Sequence, residues 1–238
     1  MHICKQNRKT GTLLGACLII FTCLFLAVPA NAAAVALTFD DGPTAKQTKA
    51  ILEVLEEESI PATFFLCGYR LKEFGDVATL LENPIYELGV HGYSHEAMHK
   101  LDQAILLDEL KETGNLIEQL TGRKPTLMRP PGGLYNDTVQ SISAQQGYPI
   151  ILWSVDPLDW KPGNTAVSVC SAVVNQVQDG DIILLHDLNS RTTEALPEMI
   201  RTLKAQGFEF LTVSELAERQ NISLEAGAIY HHLHPANE

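Results

Sequence analysis

Cysteine is scarce after the first 32 residues of the chain. Of the five cysteines, Cys4, Cys17 and Cys23 fall within the first 32 residues, which leaves Cys67 and Cys170. Two cysteines form at most one disulfide, and a domain of roughly 200 residues buries enough surface to be stable without one. We therefore expect Cys67 and Cys170 to be free and buried.

Basic residues are also few. The 238 residues include 17 Lys and Arg against 29 Asp and Glu, so the net charge is -12 at pH 7. Nucleic acids and anionic membrane surfaces attract proteins through Lys and Arg. This composition argues against nucleic acid as a partner and is compatible with a neutral substrate.

The one long apolar run stands at the N-terminus. Basic residues come first, an uncharged apolar stretch covers 13–28, and Ala30-Asn31-Ala32 follows. This order predicts a secretory signal peptide over 1–32 with cleavage after Ala32. An uncleaved membrane helix is the alternative, and the small residues at the cleavage site argue against it. We expect a secreted or cell-wall-associated protein without a stable membrane anchor.

Low-complexity linkers and changes of composition are absent after this stretch. The sequence therefore predicts a single domain over 33–220, which we expect to be monomeric. The remainder, 221–238, carries three histidines near its end and is expected to be a flexible tail.

Short apolar strands alternate with amphipathic helices along the domain. Such a pattern indicates a parallel sheet covered by helices, and seven strands favour a closed or nearly closed barrel over the alternative of an open doubly wound sheet. The last predicted helix contains Pro197, which fits the first turn of a helix, so we expect this helix to begin later than the first residue of its amphipathic pattern. The predicted strands are 35–39, 62–66, 86–90, 126–128, 150–155, 182–185 and 208–213, and the predicted helices are 46–58, 77–81, 102–120, 136–146, 166–178 and 193–205.

Polar residues follow the carboxyl ends of these strands. Ligand sites in parallel α/β folds form beyond those ends, so we expect the polar residues to meet at one rim. They are Asp40 and Asp41 after the first strand, His91 after the third, Arg129 after the fourth, Asp159 after the fifth and His186 after the sixth.

The sequence His91-Gly92-Tyr93-Ser94-His95 places two imidazoles four residues apart. On a helical turn this spacing brings both to one face. With Asp41 they form a set of two histidines and one carboxylate that leaves positions open on a catalytic Zn²⁺ or similar ion. Two solvated histidines at the start of a helix are the alternative.

An overlapping motif, His95-Glu96-Ala97-Met98-His99, matches the zinc-protease pattern H-E-x-x-H. Its extended form requires Gly where this chain has Asp102, although Glu118 is a candidate for a distant third ligand. A zinc protease therefore stays as an alternative, in which Glu96 is the base.

Two further stretches carry polar groups. Arg129 stands at the end of a strand and can hold Asp40 by a fork of hydrogen bonds. The Gly132 N–H is the first free one after two prolines and can lie near a ligand. A proline-stiffened surface turn with an exposed Arg is the alternative. Asp159 beside His186 stabilises the imidazolium, which makes His186 a general acid. Trp160 and Leu184 could line a small apolar pocket.

Taken in order, these stretches resemble the five motifs of the polysaccharide deacetylases, the NodB homology domain of carbohydrate esterase family four. The resemblance covers about 34–216 of the chain. The matching stretches are T-F-D-D-G at 38–42, H-G-Y-S-H at 91–95, R-P-P-G-G at 129–133, D-P-L-D-W at 156–160 and L-L-H at 184–186.

The resemblance implies a distorted (β/α) barrel of about seven parallel strands that removes N-acetyl groups from N-acetylglucosamine-type polysaccharide, namely peptidoglycan, a chitin-like oligomer or an exopolysaccharide. It implies a divalent metal ion, zinc first, with cobalt, manganese or nickel as alternatives. By position it implies Asp40 as base, His186 as acid, Arg129 and Asp159 as their partners, Asp41, His91 and His95 as metal ligands, Gly132 as oxyanion donor, and Trp160 and Leu184 as walls for the acetate methyl group.

One position departs from the family. Many members have an aromatic residue where this chain has Gly132, so the choice of substrate is open. Two alternatives within the fold are an O-deacetylase acting on xylan or another acetylated glycan, and a glycan-binding domain without activity.

Overall fold

The structure, a computed structural model, describes residues 32–234, so the predicted signal peptide lies outside the described residues except for Ala32. The described part contains eight strands, of which the first seven correspond to the predicted ones. They are β1 (Ala34–Gly42), β2 (Ala62–Leu66), β3 (Tyr86–Val90), β4 (Leu127–Met128), β5 (Ile150–Ile151), β6 (Ile182–His186), β7 (Glu209–Leu211) and β8 (Ile229–Tyr230).

Helices connect the strands, as the alternating pattern predicts. Short 3-10 helices also occur at Thr79–Glu82, Met98–Lys100 and Pro131–Gly133. The α-helices are α1 (Gln47–Glu58), α2 (Gly68–Glu73), α3 (Gly75–Ala78), α4 (Gln103–Thr121), α5 (Asp137–Gln146), α6 (Ala166–Val174), α7 (Ser190–Ala205) and α8 (Val213–Arg219).

The strands form a curled parallel half-barrel. Their order is β6-β1-β2-β3-β4-β5-β8, and β7 pairs with the start of β1. Beyond β5 the chain returns to β6, where Val155 forms a parallel bridge with Ile183. The distorted barrel of about seven parallel strands is therefore confirmed, and the open doubly wound alternative is wrong.

The alternation of side chains along β1 places the first carboxylate inside the barrel. Val35, Leu37 and Phe39 pack in the large cluster beneath the helices, where Phe39 stacks on Phe64. Residues at even positions face the other way, and Ala34 and Ala36 join the second buried cluster. Because successive side chains of a strand point to opposite faces, Asp40 shares this interior face.

The end of the predicted seventh strand is helical instead. Strand β7 stops at Leu211, and α8 begins at Val213. Thr212 and Glu215 form a capping box, in which each side chain bonds the backbone N–H at the other position. This helix contributes Val213 and Leu216 to the second cluster, so it covers apolar side chains inside the barrel.

Pro197 does not lie in a first turn. Helix α7 begins earlier than predicted, at Ser190, where Asn189 caps it by accepting a hydrogen bond from the Arg191 N–H. Pro197 is therefore inside the helix, where it lacks the N–H that would donate to the carbonyl of Thr193. The buried face of α7, which includes Leu196 and Ile200, packs in the core on either side of this position.

The segment after Asn221, expected to be a flexible tail, packs on the barrel as far as His234. Strand β8 pairs with β5, Leu233 is fully buried, and the His234 Nε2 lies 2.7 Å from the Asp181 Oδ1. The reason is the open side of the half-barrel: β5 and β6 leave an edge and an apolar gap that this segment covers.

Two smaller points complete the fold. Cys67 and Cys170 are free and buried, as predicted. Among residues 32–234, no helix is both long enough and apolar enough to cross a bilayer.

Candidate active site

The polar residues that follow the strands come together around one cavity of about 300 Å³ at the carboxyl ends of the strands. Nine side chains and the backbone of Gly132, from five segments of the chain, meet here because parallel strands end at the same rim. The lining residues are Asp40, Asp41, His91, His95, Gly132, Trp153, Asp156, Trp160, Leu184 and His186.

Asp41, His91 and His95 form one cluster. The Asp41 Oδ1 lies 2.9 Å from the His95 Nε2 and 3.2 Å from the His91 Nε2. One ligand atom from each residue lies within 4.8 Å of the others. His91 is buried and His95 is partly exposed, so the cluster forms part of the cavity wall that solvent can reach.

The two histidines do not lie on a helical turn, which corrects the expectation from their spacing. Residues 91–97 form an irregular loop, and the 3-10 helix begins only at Met98. Left-handed backbone at Gly92 (φ 80) and His95 (φ 62) turns the loop so that both rings face Asp41. Asp41 also has positive φ (76), which directs its carboxylate away from the path of β1.

The surroundings of the His91 Nε2 and the Asp41 Oδ1 fit a cation between these two atoms. The His91 Nδ1 lies 2.7 Å from the Arg129 carbonyl, which can only accept, so this nitrogen carries the proton. In the neutral ring the Nε2 lone pair then faces the Asp41 Oδ1, which is buried without a hydrogen-bond partner in the described part of the chain. Two acceptors at this distance repel each other unless a positive charge lies near both.

The charge balance agrees with this. Burial by itself raises the pKa of Asp41, but the imidazole nitrogens of His91 and His95 that face the carboxylate hold this pKa well below its usual value. The carboxylate is therefore ionised and available as a ligand. Two imidazole nitrogens and one carboxylate oxygen suit Zn²⁺ or a similar divalent ion and leave positions open for water and substrate.

Asp40 is held by Arg129. The Arg129 Nη1 donates to the Asp40 Oδ1 at 2.7 Å and to the Thr38 Oγ1 at 2.8 Å. The predicted fork is wrong, because the remaining guanidinium nitrogens donate to the carbonyls of Ile151 (2.9 Å) and Leu152 (2.8 Å). Arg129 therefore ties β1 to the end of β5 and fixes one oxygen of Asp40.

Arg129 is fully buried, and aromatic rings replace the water around it. Its guanidinium carbon lies 4.1 Å from the centre of the Phe65 ring and 5.6 Å from that of Trp153. Burial lowers the pKa of Arg129, whereas the charge of Asp40 raises it. Breaking such a buried pair by removing one partner strongly destabilises the protein.

His186 is held by Asp159, as the sequence predicts. The His186 Nδ1 lies 2.7 Å from the Asp159 Oδ1, and the other carboxylate oxygen accepts from the His186 N–H and the Thr192 hydroxyl. Burial by itself lowers the pKa of His186, but the bond to Asp159 and the charges of Asp159, Asp40 and Asp41 raise it to about 9. The imidazole is therefore protonated at neutral pH.

The remaining predicted residues also border the cavity. Gly132 is exposed, with left-handed backbone (φ 64), and a Cβ added there would meet only Leu134, at 4.0 Å. Leu184 is buried beneath the cavity, and Trp160 is about half exposed at its edge.

Sequence reasoning missed Trp153 and Asp156 as lining residues. Trp153 lies two positions beyond the end of β5. The predicted strand extends to 155, so the sequence pattern does not show which way the Trp153 side chain faces. Asp156 begins the stretch that contains Asp159, and this was the available signal. Burial raises the pKa of Asp156, which accepts a hydrogen bond from the Leu158 N–H at 2.8 Å.

Asp187 was also missed, because its partners come from a distant segment. It is fully buried beside Gly42, where an added Cβ would meet its carboxylate, and it accepts a hydrogen bond from the Thr48 hydroxyl. Burial raises its pKa to about 7. Asp187 thus supports the turn that follows Asp41.

The H-E-x-x-H pattern does not form a zincin site. That motif requires a helix to place both histidines on one face, and residues 95–97 are not helical. His95 instead clusters with Asp41 and His91.

The sequence is similar to two curated peptidoglycan deacetylases. It is 37% identical over 191 residues to the peptidoglycan-N-acetylmuramic acid deacetylase PdaC of Bacillus subtilis, and the alignment covers 80% of this chain and 40% of PdaC. It is 36% identical over 195 residues to a peptidoglycan-N-acetylglucosamine deacetylase of Bacillus cereus, and this alignment covers 79% of this chain and 90% of that protein. The chain thus spans about two fifths of the length of PdaC.

The fold is similar to that of the Xyl-CE4 domain of a multidomain xylanase from the hindgut metagenome of Trinervitermes trinervoides, with a TM-score of 0.78 and 31% identity over 85% of this chain and 98% of that one. The family profile described as Polysaccharide deacetylase matches residues 27–151. Since that match covers more than half of the sequence, and the two curated relatives exceed 30% identity, the chain belongs to the polysaccharide deacetylase family, carbohydrate esterase family four.

Proposed function

We propose that this protein is a metal-dependent deacetylase that removes N-acetyl groups from N-acetylglucosamine-type polysaccharide outside the cell. The observation that carries the proposal is the pairing of opposite roles in one cavity. Asp40 is a buried carboxylate held by Arg129, and His186 is an imidazolium held by Asp159. A hydrolase of amides needs both a base and an acid.

Asp41, His91 and His95 would hold the divalent ion, zinc first, on the grounds of their nitrogen and oxygen donors. An ion in this position supplies Lewis-acid polarisation of a carbonyl and lowers the pKa of water. The His91 ring is oriented by its bond to the Arg129 carbonyl, the type of outer contact that fixes metal-ligating histidines.

The chain's own residues would move the protons. Asp40 accepts the proton of the attacking water while Arg129 holds the carboxylate in position. His186 then donates a proton to the departing amine, which without it is a very poor leaving group. Each of these contributions is typically worth about 10²–10⁴-fold in rate.

The cavity walls would place the acetyl group. The N–H of Gly132 is the candidate donor to the developing oxyanion, because glycine lets a ligand approach its backbone closely. Leu184 and Trp160 border the same cavity and would receive the methyl group.

Exposed apolar side chains in the segments that follow the strands support a polymer as substrate. Concentrations of exposed apolar surface on a monomer commonly mark binding sites. Five of the eight large apolar side chains that are exposed in the described residues follow the carboxyl ends of strands: Tyr69, Leu134, Tyr135, Trp160 and Leu188.

The substrate class rests on the relatives. Two of them are described as peptidoglycan deacetylases, and the predicted signal peptide is consistent with action at the cell wall. We therefore propose acetylated cell-wall glycan or a chitin-like oligomer as the substrate.

An O-deacetylase of xylan is the second candidate, favoured by the similarity to a domain of a xylanase. An alcohol leaves more easily than an amine, so an ester depends less on the proton of His186. Purified protein loaded with Zn²⁺ should be given chitooligosaccharide, peptidoglycan and acetylxylan, and the released acetate measured. Release from the first two supports N-deacetylation, release from acetylxylan alone supports the second candidate, and no release from any contradicts both.

A further inference from the structure

The loop that joins the two metal-binding histidines is held by the main chain on one side. The Gly92 carbonyl accepts from the Gly68 N–H at 3.0 Å, and the Tyr93 carbonyl accepts from the Tyr69 N–H at 2.9 Å. These bonds satisfy carbonyl groups only. The N–H groups of the same loop need other partners.

Glu109 supplies them. Its Oε2 accepts hydrogen bonds from the consecutive N–H groups of Tyr93 (2.6 Å) and Ser94 (2.9 Å). Hydrogen bonds to a carboxylate are stronger than those between neutral groups. Glu109 lies in α4, between the buried Leu106 and Leu110, so its position is fixed by a packed helix.

The two histidines differ in how much they need this support. His91 extends β3 and is anchored twice, by its N–H to the Leu66 carbonyl (2.9 Å) and by its Nδ1 to the Arg129 carbonyl. The His95 ring has no such bond to backbone in the described part of the chain. His95 also has a positive φ of 62, which costs free energy unless the surroundings impose it.

We propose that Glu109 is a positioning residue for the metal site, which holds residues 93–94 so that the His95 imidazole faces Asp41. This inference rests on the proposed metal site and assigns a role to a residue outside the cavity. Loss of the two bonds would release His95 while His91 stays in place. The protein would then keep its fold and bind the ion more weakly.

The test measures the dissociation constant for Zn²⁺ by competition with a chelator, in the wild type and in three variants. Glu109→Ala should weaken binding about tenfold or more, the range found when outer contacts of metal ligands are removed. Glu109→Gln keeps an oxygen that can accept both bonds and should lose less, but at least about twofold. Glu112→Ala, an exposed position on the same helix, should bind as the wild type does.

Turnover separates positioning from general damage. At saturating Zn²⁺ the kcat of Glu109→Ala should return to near the wild-type value. Unchanged affinity in Glu109→Ala, or a kcat that stays low at saturating metal, would overturn the inference. If Glu109→Ala does not fold, unchanged affinity in Glu109→Gln overturns it. A wild type that binds no metal would instead refute the proposed metal site itself.

Discussion

Asp40 and Asp41 are adjacent in the chain and have different surroundings. Asp40 continues the inward face of β1 and meets the Arg129 guanidinium, whereas positive φ turns Asp41 toward two imidazoles. Each carboxylate therefore has its own partners, the Arg129 guanidinium for Asp40 and the two imidazoles of the proposed metal site for Asp41, which explains how two neighbouring anions are tolerated. The same division separates a candidate base from a candidate ligand.

The first prediction concerns the ligand set. His91→Ala should lose most bound metal, because His91 is buried and its Nε2 faces Asp41. The measurement is metal content after dialysis against Zn²⁺. His99→Ala is the matched control and should keep its metal. Loss of metal from His99→Ala, with retention in His91→Ala, would support the zinc-protease alternative instead.

The second prediction concerns pH. His186 acts as an acid only while protonated, so activity should fall as pH rises through its pKa of about 9. Asp159→Asn removes the charge that raises this pKa, so the alkaline limb of the kcat/KM profile should move to lower pH. The measurement is kcat/KM for both proteins between pH 6 and about 10. An alkaline limb at the same pH in both would contradict the assignment.

At this scale the sequence predicts the polar residues at strand ends and the pairs Arg129–Asp40 and His186–Asp159 among them. It does not predict Glu109, because Glu109 lies within a helix away from any strand end. It does not predict Asp187, because the contact with Thr48 depends on how the start of α1 packs against the end of β6. The fork expected of Arg129 failed because the carbonyls of β5 compete for its nitrogens.

Among the elements, seven of the eight strands and the long helices of the described residues were predictable, whereas β8 and α8 were not. Strand β8 has two residues, too few to show alternation. Helix α8 was hidden by an apolar run continuous with β7, although its capping box at Thr212 and Glu215 was a visible signal. The spacing of His91 and His95 suggests a helical turn, but spacing alone does not reveal the left-handed backbone of Gly92 and His95 in this loop.

The third prediction tests the C-terminal segment. Leu233 is fully buried in the cluster that includes Ile182 and Leu216. Leu233→Ala should lower the free energy of unfolding by about 2–5 kcal/mol, the usual cost of a buried Leu→Ala change. Leu80→Ala, at an exposed position, is the control and should change it little. The measurement is urea denaturation, and equal stability of the two variants would show that the segment contributes nothing to folding.

For the whole molecule, curling a parallel sheet gives one rim where every strand ends. Side chains from β1, from the loops after β3, β4 and β5, and from β6 reach the same 300 Å³ cavity. The meeting of most predicted site residues at one rim could therefore be predicted from the alternation of strands and helices along the sequence. Substrate choice could not, because it depends on exposed side chains whose spacing around the cavity is set by loops.

The acidic balance of the chain also belongs to this scale. With 29 acidic and 17 basic residues, the molecule should bind a neutral glycan without long-range attraction. KM for chitooligosaccharide should therefore change little between low and high salt, since screening affects charged partners most. A steep rise of KM with salt would indicate an anionic region of substrate held by cationic side chains.

The most direct test of the account is acetate release from N-acetylglucosamine oligomers by Zn²⁺-loaded wild type and Asp40→Asn, with metal content measured in both. We predict that the variant keeps its metal and releases acetate about 10²–10⁴-fold more slowly, because the base is lost while the ligands remain. Equal rates for two proteins that carry equal metal would contradict the central claim.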